Sequence, residues 1–106
     1  MKVLTLALAL AAAGLAASAQ ADDKEMEALA KKHNCLACHQ TDKKVIGPAY
    51  KEVAKKYKGQ KNAQTQLEQK VKKGGVGVWG QIPMPPNAAV PDKDIHELVE
   101  WILKMG

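Results

Sequence analysis

Residues 35–39 read Cys35-Leu36-Ala37-Cys38-His39, and this run of five constrains everything around it. Two cysteines two residues apart, followed at once by a histidine, form the attachment pattern of a c-type haem. On one helical turn the two sulfurs point the same way and can each form a thioether to a vinyl group, while the histidine is carried under the ring to meet the iron. Three other uses of a Cys-x-x-Cys pair compete. A thioredoxin-type dithiol belongs at the start of a helix in a βαβ setting, and the chain carries no convincing strand alternation. A structural zinc needs four ligands, and His33 and His96 do not stand at the usual partner spacings. A plain disulfide would suit an oxidising compartment but gives no reason for the adjacent histidine.

Upstream, Lys2, the apolar stretch from Val3 to Ala17 and the small-residue pattern Ala19-Gln20-Ala21 read as a secretory signal. The stretch is alanine-rich and shorter than the roughly 20 strongly apolar residues of a spanning helix. Residues 1–21 are therefore expected to be removed near Ala21. Residues 22–106 would form one domain outside the cytoplasm, with no stable membrane insertion.

A domain of that size buries only about 60–70% of its unfolded surface and commonly needs a cofactor, metal or staple. This one has no Phe, two Trp and two Tyr, too few large side chains to fill a core by themselves. The formal charge is +5 and every basic residue is lysine. Without the guanidinium fork, and with the lysines spread along the chain, nucleic-acid recognition is not expected. Most lysines read as solvated surface, a minority as steering groups for an acidic partner.

Helical periodicity occurs in four places. The first helix is expected from about 24 to 33, with Met26, Leu29 and Ala30 on one face. The second carries Tyr50, Val53, Ala54 and Tyr57 at i, i+3, i+4 and i+7 and stops at Gly59. A weaker third has Leu67 and Val71 and ends at Gly74-Gly75. The last carries Ile95, Leu98, Val99, Ile102 and Leu103, with Asp92 and Asp94 in its first turn and Lys104 in its last. Between the third and fourth lies Gly74 to Pro91, with four glycines and four prolines among Val76, Val78, Trp79, Ile82 and Met84. A long loop this rich in apolar groups must pack on something.

If haem is attached, a second axial ligand is needed. The candidates are Met26, Met84, Met105 and His33 or His96; of these Met26 reads as core, Met105 as a frayed terminus, and His96 as an exposed residue of the last helix. Met84 stands apart, because Pro83, Pro85 and Pro86 stiffen the loop around it and lower the entropic cost of holding a ligand there. A thioether raises the iron potential where a second imidazole would lower it.

With the attachment motif, Ile46-Gly47-Pro48-Ala49-Tyr50, the block Gly77-Val78-Trp79-Gly80-Gln81-Ile82-Pro83-Met84-Pro85-Pro86-Asn87 and a final helix bearing Trp101, the chain resembles the short class I cytochromes c of bacterial periplasms. The resemblance spans nearly all of 24–106. It implies an all-α fold of about four helices around one covalent haem c, with His39 and Met84 as axial ligands to its iron. It further implies that the Pro48 carbonyl accepts a hydrogen bond from His39, that Trp79 reaches a haem propionate, and that Asn87 hydrogen-bonds near the Met84 sulfur. Several relatives carry an arginine near a propionate where this chain has Lys70, a point charge in place of a fork.

The implied role is that of a monomeric one-electron carrier rather than an enzyme. A membrane quinol-oxidising complex would be its donor, and a nitrite reductase, terminal oxidase or peroxidase its acceptor. The rivals are a haem enzyme or gas sensor in which Met84 is displaced, and a thiol oxidoreductase using free Cys35 and Cys38.

Overall fold

The computed structural model describes residues 13–105, with side chains from Asp23 onward. It is an all-α fold: α1 (Ala13–Lys32), a 3-10 turn (Cys35–Ala37), α2 (Tyr50–Tyr57), α3 (Ala63–Lys73) and α4 (Asp92–Leu103). Among the described residues there is no strand, only isolated bridges pairing His39 with Lys44 and Gly75 with Met84.

Three of the helices fall where the apolar spacing puts them. In α2 the four periodic residues Tyr50, Val53, Ala54 and Tyr57 are all buried, and Gly59 follows the helix at φ 82°, a conformation glycine adopts at no steric cost. In α3, Ala63 and Leu67 are buried and the chain turns out of the helix at Gly74, φ 75°. The first turn of α4 carries Asp92 and Asp94, suited to the positive end of the helix dipole, and its face buries Ile95, Leu98 and Val99.

The first helix differs from expectation. It begins at Ala13, not near 24, and runs through the expected cleavage point. Residues 13–21 are mostly alanine, the residue that costs least in a helix, and nothing between Gly14 and Asp22 interrupts them. Lys2 and most of the apolar stretch lie outside the described residues. No helix among the described residues is long and apolar enough to cross a membrane.

The core is small. Val53, Tyr57, Ala63, Leu67, Ile95 and Val99 form its centre between α2, α3 and α4, flanked by Val71, Val90, Ile102 and Leu103. α1 is tied to α4 at two places, near its middle and just past its C-terminus. His33 Nε2 lies 3.0 Å from Asp94 Oδ2, and the Trp101 indole N–H donates to Asp23 Oδ1 at 3.1 Å. The carbonyl of His33 leads directly into the attachment turn, so α4 indirectly fixes where Cys35 stands.

Candidate functional site

Asn34 ends the first helical segment with a left-handed backbone, φ 62°, which asparagine tolerates better than most residues. The chain then closes one tight turn, with Cys38 N–H and His39 N–H both donating to Cys35 O. Cys35, Cys38 and His39 come together on the wall of one cavity of about 330 Å³, at the low end of the roughly 300–1,000 Å³ usual for cofactor sites.

The loop after His39 folds back on it. Gly47 N–H donates to Cys38 O at 2.7 Å and Tyr50 N–H to Gln40 O at 2.8 Å, which brings the Pro48 carbonyl oxygen 2.7 Å from His39 Nδ1. A carbonyl only accepts, so Nδ1 carries the proton and Nε2 retains its lone pair, the tautomer a metal-binding imidazole needs. Tyr50 stacks on the ring at 5.2 Å between centroids, and Trp101 meets Tyr50 edge-on at 5.8 Å.

Gly47 is the seat of that imidazole, because a Cβ there would lie 2.6 Å from His39 Cε1. Gly47→Ala is expected to force the ring out of place and destabilise the haem-loaded protein by about 1–3 kcal/mol, the usual cost of overpacking. A thermal melt followed through the haem absorbance checks it.

Met84 lines the same cavity from the long loop. Its backbone is pinned in both directions to Gly75, with Gly75 N–H to Met84 O at 3.0 Å and Met84 N–H to Gly75 O at 2.8 Å. Gly74 must be glycine for this approach, since a Cβ there would collide with Met84 O. Pro48, Trp79, Asn87 and Lys70 also line the cavity.

Asn87 lies on the cavity wall, as the resemblance implies. Its side-chain amide donates to Val71 O at 3.1 Å and Pro85 O at 3.3 Å. These bonds hold the loop beside Met84 to the end of α3. The Trp79 ring lies under Lys56 Nζ, 5.5 Å from the centroid. Lys70 makes no ion pair among the described residues, and Gly75 leaves room for its ammonium.

The remaining candidates lie elsewhere. Met26, Met105, His33 and His96 are not on the cavity wall. His96 is bound instead by Glu68 on α3 at 3.0 Å. Among the described residues no cluster of three His, Cys, Asp or Glu could hold a bare metal ion.

The cavity suits a large, flat apolar group. Val76, Val78, Trp79 and Ile82 line it while remaining 42–69% exposed, and Leu67, Leu98, Val99 and Ile102 make its inner wall continuous with the core. The setting of Cys35 speaks against a reactive dithiol: burial pushes its thiol up, outweighing its hydrogen bonds to backbone and Tyr50. Reactive dithiols need the opposite shift. Thioether formation removes the thiol altogether.

Comparison with known proteins agrees with the chemistry of these residues. The cytochrome c family model matches residues 24–106. The chain belongs to the cytochrome c family. It is 56% identical over 77 residues to cytochrome c-552 of Nitrosomonas europaea, covering 73% of this chain and 75% of the relative. It is 51% identical over 89 residues to cytochrome c-551 of Pseudomonas aeruginosa, covering 84% and 83%.

The crystal structure of the wild-type Nitrosomonas europaea cytochrome c552 superposes with a TM-score of 0.74 at 54% identity, covering 76% of this chain and 99% of that one. The class 1 cytochrome MtoD of Sideroxydans lithotrophicus ES-1 superposes at 0.66 with 31% identity, covering 79% and 96%. The fold is that of a small class I cytochrome c. As in its family, one haem c with its iron is held covalently, and Cys35 and Cys38 are the residues of the attachment motif. The family's work is electron transfer.

Proposed function

We propose that the protein is a periplasmic one-electron carrier of a respiratory chain, its haem iron held between Nε2 of His39 and the thioether of Met84. The observation that carries this reading is the pair of backbone clamps on one cavity, Pro48 on the His39 ring and Gly75 on the Met84 backbone. The bound haem supplies a one-electron couple. His39, oriented by Pro48, gives a basic nitrogen; Met84 gives a soft thioether that favours the reduced state. With His39 and Met84 both given to the haem iron, the bound group would offer no open position to a substrate, which supports a carrier rather than an enzyme.

The apolar rim formed by Val78, Trp79 and Ile82, with Lys44 and Lys70 beside it on the cavity lining, suits brief docking onto acidic surfaces. A membrane quinol-oxidising complex would be the donor, and a nitrite reductase, terminal oxidase or peroxidase the acceptor. The export reading of residues 1–21 places the mature monomer, residues 22–106, in the periplasm.

The test is an absorption spectrum of protein purified from the periplasm, oxidised and reduced, together with its intact mass. Expected are c-type haem bands, the weak far-red band of methionine on ferric iron, and a mass equal to residues 22–106 plus one haem. Haem bands without the far-red band would favour a sensor or bis-histidine site. A haem-free mass would return the cysteines to thiol chemistry.

A further inference from the structure

We infer that Lys72 is a positioning residue, the hydrogen-bonding latch that holds the Met84 loop against the cavity. This rests on the reading of Met84 as an axial ligand. A lysine in the last turn of a helix ordinarily serves that helix's own terminal carbonyls. Lys72 does not. Its ammonium leaves α3, donates to Val90 O at 3.0 Å and meets Asp92 Oδ1 at 2.9 Å, so it joins the far end of the loop and the start of α4 to the end of α3.

Besides the packing of Val90 on the core, the loop has three polar ties to this end of α3. The first is the Gly75–Met84 pair of backbone bonds. The second is Asn87, whose backbone N–H reaches Val71 O at 3.1 Å and whose amide reaches the same carbonyl. The third is Lys72. The first two act at or upstream of residue 87 and join neutral groups. Beyond Asn87 and before α4 the other backbone bonds among the described residues are local and none reaches α3: Val90 N–H donates to Asn87 O at 3.1 Å, and Ile95 N–H of α4 to Pro91 O at 3.1 Å.

Lys72 thus closes the open end of the strap, and it does so with a charged donor, about twice as strong as a neutral one. Its side chain is 34% exposed whereas Asp92 is 87% exposed. The bond to the Val90 carbonyl therefore matters more than the ion pair, which water screens.

The test is an imidazole titration of the ferric, haem-loaded protein, read by loss of the far-red methionine band, beside a thermal melt. Lys72→Gln removes the charge and shortens the reach. It is expected to bind imidazole about tenfold more tightly than the parent, as the strap yields more easily. Lys72→Arg, which keeps a charged donor of similar length, is expected to restore the parent affinity to within about twofold. If Lys72→Gln lowers the melting temperature but leaves imidazole affinity unchanged, the residue is merely structural and the latch is overturned while the Met84 reading stands. If the parent itself lacks the methionine band, the Met84 reading fails and the latch falls with it.

Discussion

Met84→Ala is expected to lower the reduction potential by on the order of a hundred millivolts, since axial ligands tune haem potentials over about 0.8 V. The thioether stabilises ferrous iron, and its loss leaves water or an added ligand in its place. The same variant should bind carbon monoxide when reduced and cyanide when oxidised, both of which the parent is expected to resist. Because Met84 is fixed through its backbone to Gly75 and lies in a loop between prolines, truncating its side chain should leave the fold intact. Spectroelectrochemistry reads the result directly. An unchanged potential with the far-red band still present would move the ligand to Met26 or Met105, neither of which reaches the cavity here.

Chain produced without haem, either as the Cys35→Ala, Cys38→Ala variant or in a host lacking the attachment machinery, is expected to be largely unfolded. Its far-ultraviolet helical signal should fall to about half or less of that of the loaded protein, because so small a domain depends on its cofactor for buried surface. The residue that best represents the core is Val99, the largest side chain buried to below 2% exposure. Leu67, Leu98 and Ile102 line the cavity. Deprived of the macrocycle, this inner wall gains water, and the burial that stabilises α2, α3 and α4 is lost from one side. A cooperative melt of the haem-free chain near that of the loaded protein would refute the dependence.

The parts of the fold written in local patterns were legible from residues alone. Tyr50, Val53, Ala54 and Tyr57 repeat at helical spacing, and Gly59 and Gly74 stand where a chain can leave a helix cheaply. The start of α1 was not legible, because an alanine-rich segment favours helix whether or not it belongs to the final domain. Residues near the attachment motif were legible because their chemistry requires contiguity. What escaped depends on segments far apart in sequence. His33 and Asp94 are 61 residues apart, and Lys72 and Val90 are 18 apart; nothing in either's neighbourhood announces the other. Gly47 read as the residue before a proline and a helix, yet its missing side chain makes room for the His39 ring. Asn87's amide bonds to Val71 and Pro85 tie the loop to α3 across 16 residues, a contact its neighbours in sequence do not announce.

The two tryptophans occupy unlike settings: Trp101 against Tyr50 and hydrogen-bonded to Asp23, Trp79 at the cavity rim beneath Lys56. The chain therefore carries two indole fluorophores, one at the joint between the first and last helices and one on the strap that bears Met84. With either replaced by phenylalanine, the other's emission, quenched by energy transfer to a nearby macrocycle, becomes a clock for its own region. Assembly of the helical joint and closure of the strap can then be timed separately in one refolding experiment.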